Sequence, residues 1–499
     1  MTATPKKSKS SYVKKPREEY LSRGVKPRKG FDRHGGVKCE TCFAKNLEID
    51  RLKGELKVLK GRLKYRDQAG QAQATAKPAL PFGENTPSSK IPHKKNSTQE
   101  NRDKKGGAQI GHPGHGRSSA SAETADEVID LKRPQSCPDC HLDLLDRDTR
   151  ARTIVETVGM KAKEILYRCK RGMCPRCFKV YARKPQALPR SLYGNGLLAH
   201  AAVLHYLHGV TYGKLEQMLG PKVKASGLMD AFHRLGELCS QALPSLIEQY
   251  RRSPVRHADE TGWRNDGHSG YAWIFCTQDL TLFQFRNSRS GSVAREILGE
   301  ERLPGVLVVD RYGGYNRSNC KVQYCFAHLL RKVEALESDF PDAHEVEVFA
   351  NRFAPLLSEA MRLRTQAISD AQYYVRAAEI RDEIKKLVYA RFEHLGIQEI
   401  QEIFDRTHTR LYHWVKDRAV PAENNRAERE LRPTVIARKV SFGSQSMRGC
   451  RTRSALMSVL LTAKKRNPDK PPEVWLKEVL DRISAHPKAG AEHLIQALA

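Results

Sequence analysis

The stretch GVLVVD, residues 305–310, decides the fold that this sequence predicts. Its unbroken apolar run is typical of a strand buried at the centre of a sheet, and it ends in Asp310. Upstream, VRHADE predicts another strand, and YAWIFCT and LTLFQFR predict a hairpin around Gln278-Asp279. SVAREILG predicts a helix between that hairpin and GVLVVD. Residues 253–330 therefore predict an α/β core: three strands, a helix, a strand and a helix.

Two acidic residues end strands of this core, Asp259 in HADETGW and Asp310 in GVLVVD. In a right-handed β-α-β arrangement the two strands can lie side by side, with both carboxylates at one edge of the sheet. Like charges this close repel each other strongly unless a cation is present. Oxygen ligands and a phosphate substrate favour Mg²⁺ or Mn²⁺, and two such ions can catalyse an in-line displacement at a phosphodiester.

A third acidic ligand is expected in ENNRAERELRP, residues 423–433, which begins a helix-like segment. The segment offers three glutamates, and spacing alone does not choose among Glu423, Glu428 and Glu430. The plain alternative for Glu428 is a surface ion pair with Arg432, four residues further along the helix. Several arginines crowd the segment, as residues that bind phosphate near a catalytic carboxylate would.

The chain is strongly basic, with 87 Lys and Arg against 57 Asp and Glu and a formal charge of +30 over 499 residues. Such an excess favours a polyanionic partner, most simply DNA, because bound cationic side chains release counterions from the phosphates. A basic surface that only keeps the chain soluble is the alternative.

No run of 18 or more apolar residues occurs, so no membrane span is predicted. The N-terminus has no apolar secretory region, so we expect a cytoplasmic protein.

Two CPxC motifs, at residues 137–140 and 174–177, predict a small β-rich zinc-binding module over residues 126–185. Repeated CxxC pairs at this separation are typical of a zinc ribbon, and the alternative is two buried cysteine pairs without metal. The expected ligands of a structural Zn²⁺ are Cys137, Cys140, Cys174 and Cys177. A further pair, Cys39 and Cys42, has no partners in this chain and could complete a site only across a dimer.

The N-terminal region is expected to contain little packed structure. Residues 1–42 predict a disordered basic arm, and residues 68–125 a polar linker rich in Gly and Lys. Between them, residues 43–67 predict a short coiled coil that makes the protein a homo-oligomer. Its apolar seam is formed by Ile49, Leu52, Leu56, Leu59 and Leu63. The alternative is an amphipathic helix that packs on its own domain.

Two further regions are helical by pattern. Residues 190–250 resemble a DNA-binding helix-turn-helix, with a break at Gly220-Pro221, although a plain pair of packed helices would show the same pattern. Residues 466–499 predict a C-terminal helical tail.

The chain resembles transposases of the insertion-sequence-66 family in motifs that occur in matching order: HADETGWR, GVLVVDRYGGYN, CFAHLLRK, ENNRAERELRPTVIARK and SALMSVLLTAKK. The resemblance covers roughly residues 100–470. It implies a ribonuclease-H-like catalytic core over residues 251–465, with a helical insertion at residues 333–420. It also implies a DDE catalytic triad, two Mg²⁺ ions and binding to the terminal inverted repeats of an insertion sequence.

Carried over by motif, the resemblance assigns the triad and metal ligands to Asp259, Asp310 and Glu428. It implies DNA contacts by His328, Arg331, Lys332, Arg429, Arg432 and Arg438. The implied activity is cleavage at an element end, followed by transfer of the exposed 3′-hydroxyl to target DNA in the bacterial nucleoid. The resemblance also implies small accessory transposition proteins as partners.

Two rival functions use the same sequence features. A ribonuclease-H-like nuclease would cut DNA without strand transfer. A DNA-binding regulator would use the zinc module and the helical region with an inactive core. The presence of all three acidic residues argues against the regulator.

Overall fold

The computed structural model describes residues 48, 49, 51–53, 56, 120–159 and 161–498. The chain divides into two compact units, Met1–Asn85 and Thr86–Ala499. In the first unit the described residues are helical, and Ile49, Leu52 and Leu56 are exposed. Leu59 and Leu63, the basic arm at 1–42 and the linker as far as residue 119 lie outside the described residues. Pairing through the coiled coil therefore stays a prediction.

The second unit begins with a four-stranded sheet made of β1 (Glu127–Leu131), β2 (Leu145–Val158), β3 (Lys161–Met173) and β4 (Val180–Ala182). The central strand is β3, which pairs in parallel with β1 and antiparallel with β2 and β4. The two CPxC turns lie just before β2 and between β3 and β4. They are therefore held at one end of the β2–β3 hairpin, where Leu145 pairs with Met173.

Four helices follow: α1 (Asn195–Tyr206), α2 (Tyr212–Leu219), α3 (Ala225–Ser240) and α4 (Leu243–Arg252). Helices α2 and α3 lie on either side of the break at Gly220-Pro221, as both the helix-turn-helix and the plain packed pair predict. The side chain of Thr211 caps α2 by accepting from the backbone N–H of Lys214. One face of α3 is committed to packing inside the unit. A Cβ at Gly236 would come within 2.9–3.2 Å of Thr452, so glycine permits this close approach.

A second sheet, of five strands, forms the centre of the unit. Its strands are β5 (Val255–Gly262), β7 (Tyr271–Cys276), β8 (Thr281–Arg286), β9 (Val306–Val309) and β10 (Lys321–Tyr324). The short β6 (Arg264–Asn265) lies between β5 and β7 in sequence but is not part of this sheet. The spatial order is β10-β9-β5-β7-β8. Strands β5, β9 and β10 run parallel, while β7 is antiparallel to β5 and to β8. The four apolar residues of β9 are all buried, as an all-apolar central strand should be.

Helices cover this sheet and extend from it. Between β8 and β9 lies α5 (Ser292–Leu298). A helical region then runs through α6 (Phe326–Asp339), α7 (His344–Leu363), α8 (Asp370–Tyr389), α9 (Leu395–Arg406) and α10 (His413–Lys416). The chain ends with α11 (Asn425–Ser441), β11 (Gly443–Ser444, paired with β6), α12 (Met447–Arg466), α13 (Pro472–Ala485) and α14 (Gly490–Leu498). The mixed α/β fold that the sequence predicts is confirmed.

The outer edge of β8 is satisfied by a helix rather than by another strand. Backbone N–H groups of Thr281, Phe283 and Phe285 donate to side-chain hydroxyls on α12. Their acceptors are Thr462 at 3.0 Å, Ser458 at 2.8 Å and Ser454 at 3.2 Å. The hydroxyls recur every four residues along α12 and the N–H groups every two residues along β8. These two spacings match because four residues of helix rise about 6 Å and two residues of strand about 6.7 Å. This ladder closes an edge that would otherwise be open to pairing.

Within the described part of the chain, no helix combines the length and the apolar character that a membrane span requires.

Candidate active site

The strands β5 and β9 bring Asp259 and Asp310 to the same level of the sheet. Their parallel register pairs His257 with Val308, so the two aspartates, each two residues further along, fall opposite each other. Neighbouring strands lie about 4.8 Å apart, and residues in register project from the same face. The predicted convergence of these two carboxylates is therefore what the backbone geometry produces.

Negative charge accumulates around Asp259. Burial, together with the neighbouring charges of Glu260, Asp310 and Glu428, raises the pKa of its carboxyl group to about 8. The backbone N–H of Glu260 opposes this rise by donating to Asp259 Oδ1 at 2.8 Å. A buried carboxylate among other acids is stabilised by a cation, so the chemistry of this donor set fits a divalent metal ion.

Asn424 positions the start of α11, and with it Glu428, against β5. Its side-chain amide donates to the carbonyl of Ala258 at 2.9 Å and its Oδ1 lies 2.9 Å from Nδ1 of His257. Burial lowers the pKa of His257 to about 3, so the imidazole is neutral. Since Asn424 Oδ1 can only accept, Nδ1 of His257 carries the proton. These bonds hold the first turn of α11 beside the residues that precede Asp259.

The three glutamates of this segment have separate surroundings. Glu430 is turned toward β8, where it pairs with Lys465 at 2.6 Å and accepts from the hydroxyl of Thr281 at 2.5 Å. Glu423 accepts from the backbone N–H of Asn425 at 3.3 Å, and burial raises its pKa. Glu428 is the glutamate whose charge acts on Asp259. The structure thus gives the three glutamates different partners, and the choice of Glu428 as the third acidic ligand stays a prediction.

Two of the predicted DNA-binding residues on α6 lie against Glu428. Arg331 donates to Oε2 of Glu428 at 3.3 Å, and His328 Nδ1 lies 3.7 Å from Oε1. Lys332 points elsewhere and pairs with Glu399 of α9 at 3.2 Å. Contacts of all three with DNA stay predictions.

The predicted DNA-binding arginines of α11 divide into two kinds. Arg429 and Arg432 are exposed. Arg438 is buried, and its guanidinium donates to the carbonyl of Gly262 at 2.5 Å and to the hydroxyl of Thr261 at 3.0 Å. Arg438 therefore ties α11 to the end of β5, and its contact with phosphate stays a prediction.

A cavity of about 680 Å³ lies beside the start of β5. Three arginines contribute to its lining, Arg364 from the end of α7 and Arg426 and Arg429 from α11, together with Glu423. Their positive charges act on Glu423 and lower its pKa against the effect of burial. The cavity is therefore lined by three positive charges and one carboxyl group.

Sequence reasoning missed a polar cluster that supports Asp310. The side chain of Glu260 is 1% exposed, pairs with Arg289 at 2.7 Å and accepts from the hydroxyl of Tyr315 at 2.7 Å. The backbone N–H of Tyr312 donates to Asp310 Oδ1 at 2.9 Å, and the Arg289 guanidinium lies 4.1 Å from the Tyr312 ring centre. The cluster joins β5 to the turn after β9. The sequence signal for this cluster is Glu260 in the DET motif and the two tyrosines of the YGGY motif.

The four predicted zinc ligands meet in the N-terminal sheet module. The sulfur atoms of Cys137, Cys140, Cys174 and Cys177 all lie within 4.8 Å of one another. Across the two turns the sulfur separations are 3.3 Å for Cys140–Cys174 and 3.6 Å for Cys137–Cys177. Zn–S bonds of about 2.3 Å in a tetrahedron separate sulfur atoms by roughly 3.8 Å. The group could therefore bind a zinc ion.

Comparison with known proteins gives one family match and two relatives. The family model described as "Transposase IS66 family" matches residues 190–452, more than half of the chain. The uncharacterized protein y4jD of Sinorhizobium fredii is 26% identical over 267 residues, 48% of this chain and 48% of that protein. The uncharacterized protein y4hP of the same organism is 25% identical over 208 residues, 37% of each chain. The chain thus spans about half the length, or less, of the curated relatives it matches.

Proposed function

This chain belongs to the IS66 family of transposases, and from that premise we propose that it cuts DNA at the ends of an insertion sequence and joins them to target DNA. The observation that carries the proposal is the register that sets Asp259 level with Asp310, with Glu428 acting on the same carboxyl group. The terminal inverted repeats of the element are the DNA that it would recognise.

The topology supports a ribonuclease-H-like core. Three sequential strands pair antiparallel in the order β5, β7, β8, and two parallel strands, β9 and β10, continue the sheet on the other side of β5. Helices α6 to α10 then form the helical insertion between the second aspartate and the glutamate. In this arrangement Asp259 and Asp310 come from two neighbouring strands, and Glu428 comes from the first turn of α11.

Asp259, Asp310 and Glu428 would hold two Mg²⁺ or Mn²⁺ ions. When bound, such ions stabilise charge on the attacking and leaving oxygens of a phosphodiester. The chain's own residues orient the ligands: Asn424 fixes α11 on β5, and Arg331 holds one oxygen of Glu428. Water and then the DNA 3′-hydroxyl serve as nucleophiles, so the reaction requires no Ser or Tyr nucleophile.

DNA contacts would extend from this centre over basic surfaces. The arginine-lined cavity, with Arg364, Arg426 and Arg429, is suited to a phosphate backbone because guanidinium groups bind phosphate with two parallel donors. The zinc module and the α2–α3 pair would contact the inverted repeats. Pairing of two element ends would use a homo-oligomer formed through residues 43–67, with accessory proteins as further partners.

The test uses full-length protein, a labelled element end and a target plasmid. Asp310→Asn should keep binding to the end but lower the cleavage rate by at least about a thousandfold, since it removes a metal ligand. Joined products from the wild-type protein support a transposase, whereas cleavage without joined products supports the nuclease alternative. Cleavage by Asp310→Asn at the wild-type rate in Mg²⁺ would overturn the assignment.

A further inference from the structure

A mixed group of ligand atoms lies beside the proposed Mg²⁺ site. The ligand atoms of Cys325, His328 and Glu428 are all within 4.8 Å of one another. Nδ1 of His328 is 3.7 Å from Oε1 of Glu428, and neither of these two buried atoms has a hydrogen-bond partner. Buried polar atoms are normally paired, so two that face each other without a hydrogen bond are suited to share a bound cation.

The local structure directs these atoms to one point. Cys325 is the N-cap of α6 and His328 lies in its first turn, so residues three apart fall on one side of the helix. Glu428 comes from the first turn of α11. Its two oxygens have different surroundings: Oε2 accepts from Arg331 at 3.3 Å, while Oε1 faces His328. Occupying Oε1 therefore does not require breaking the contact with Arg331.

The chemistry of the set differs from that of the aspartates. Sulfur and imidazole nitrogen select thiophilic ions such as Zn²⁺, whereas Mg²⁺ prefers oxygen ligands and water. Bonds of about 2.0–2.3 Å in a tetrahedral zinc site separate ligand atoms by roughly 3.5 Å, close to the spacing of His328 and Glu428. Three protein ligands leave a fourth position open.

We propose that Cys325, His328 and Glu428 bind a thiophilic divalent cation, with Zn²⁺ as the physiological candidate, and that this ion takes Glu428 away from the Mg²⁺ site and so inhibits DNA cleavage. Binding of the cation is independent of the proposed function, whereas the inhibition rests on it. Because both ions compete for one glutamate, excess Mg²⁺ relieves the inhibition.

Binding is tested by titrating Co²⁺ into full-length protein whose four-cysteine site is already filled with Zn²⁺. Wild-type protein should develop thiolate-to-cobalt charge-transfer absorption that Cys325→Ser lacks. Serine keeps an acceptor for the Asn424 backbone N–H that now donates to the Cys325 sulfur at 3.2 Å. The matched control is Cys320→Ser, a half-buried cysteine before β10, which should retain the absorption. Equal absorption in wild type and Cys325→Ser overturns the site.

His328→Gln provides a second test of binding should Cys325→Ser fail to fold. It should leave the thiolate absorption in place but weaken Co²⁺ affinity at least about tenfold, as loss of groups around metal sites commonly does. Unchanged affinity would remove His328 from the ligand set and overturn the proposed site.

Inhibition is tested by adding Zn²⁺ to a cleavage assay in Mg²⁺. With each protein compared with its own rate without Zn²⁺, Cys325→Ser should require at least about tenfold more Zn²⁺ than wild type for half-inhibition. Equal sensitivity of the two proteins overturns the inhibitory role. Cysteine-dependent Co²⁺ absorption without any DNA cleavage would instead reject the proposed function and leave the cation site standing.

Discussion

The four-cysteine group and the carboxylate group are two candidate metal sites built in opposite ways. The cysteines come from two tight turns at one end of a single hairpin, and their four sulfur atoms all lie within 4.8 Å of one another. The carboxylates come from two parallel strands and a helix that follows a long helical insertion. A site of local turns can stabilise its own module, whereas a site assembled from distant elements depends on the packing of the whole core.

The largest expected effect tests the local site. Cys174→Ser should release the Zn²⁺, and because a structural zinc contributes on the order of 10 kcal/mol to the folding of small domains, strands β1 to β4 should lose protection. Hydrogen exchange of the full chain, with zinc content by mass spectrometry, measures this. Strands β5, β9 and β10 should keep their protection. Wild-type protection of β1 to β4 in zinc-free protein would contradict a structural zinc.

The next effect tests the assembled site. Glu428→Gln should lower the DNA cleavage rate at least about a thousandfold, or about 4 kcal/mol, while the fold is retained. Glu430→Gln on the same helix is the matched control, because its carboxylate pairs with Lys465 and Thr281 away from the site. Similar losses in both variants would show that the charge of the helix matters rather than the carboxylate of Glu428.

A smaller effect is expected from removing the Asn424 side chain, which fixes the start of α11 to β5. Asn424→Ala leaves a buried carbonyl and a buried imidazole without their partner, at about 1–3 kcal/mol each in the free energy of unfolding. Cleavage should fall by about a hundredfold because Glu428 is displaced. Chemical denaturation and the cleavage assay measure the two losses. The exposed neighbour Asn425 offers the control, and an equal effect of Asn425→Ala would remove the positioning role of Asn424.

The smallest effect concerns the edge of the sheet that carries the aspartates. Ser458→Ala should reduce the free energy of unfolding by about 1–3 kcal/mol, since the backbone N–H of the buried Phe283 loses its acceptor. Ser240→Ala, at an exposed hydroxyl on α3, should change it by less than about 0.5 kcal/mol. Urea denaturation of both variants compares them, and equal stability would show that the hydroxyl ladder contributes nothing measurable.

Much of the fold could be predicted because its signals are local. The apolar run of β9, the hairpin around Gln278-Asp279 and the helix α5 all lie where the residue patterns placed them. The hydroxyl ladder from α12 to β8 could not be predicted. Its serines and threonine lie far along the chain from the strand that they satisfy, and their spacing looks like ordinary helix sequence.

The candidate site divides in the same way. Asp259 and Asp310 could be expected at one sheet edge from strand patterns, whereas the choice of Glu428 rests on family resemblance and stays a prediction. Arg438 shows the limit most clearly, since its sequence position suggested phosphate, whereas the structure gives its guanidinium backbone and hydroxyl partners on β5. A long cationic side chain carries no local signal of which partner it meets.

By itself, the sequence determined the α/β character of the core, the grouping of the four cysteines as candidate metal ligands and the two strand-end aspartates. Each of these depends on short-range periodicity or spacing, which the backbone converts directly into geometry. Only the tertiary structure shows that Glu430 pairs with Lys465, that Glu428 lies near enough for its charge to raise the pKa of Asp259, and that Cys325 and His328 lie beside Glu428. Those relations depend on how α6 and α11 are fixed to the sheet, through contacts such as those of Asn424, and packing of this kind joins residues without regard to their distance along the chain.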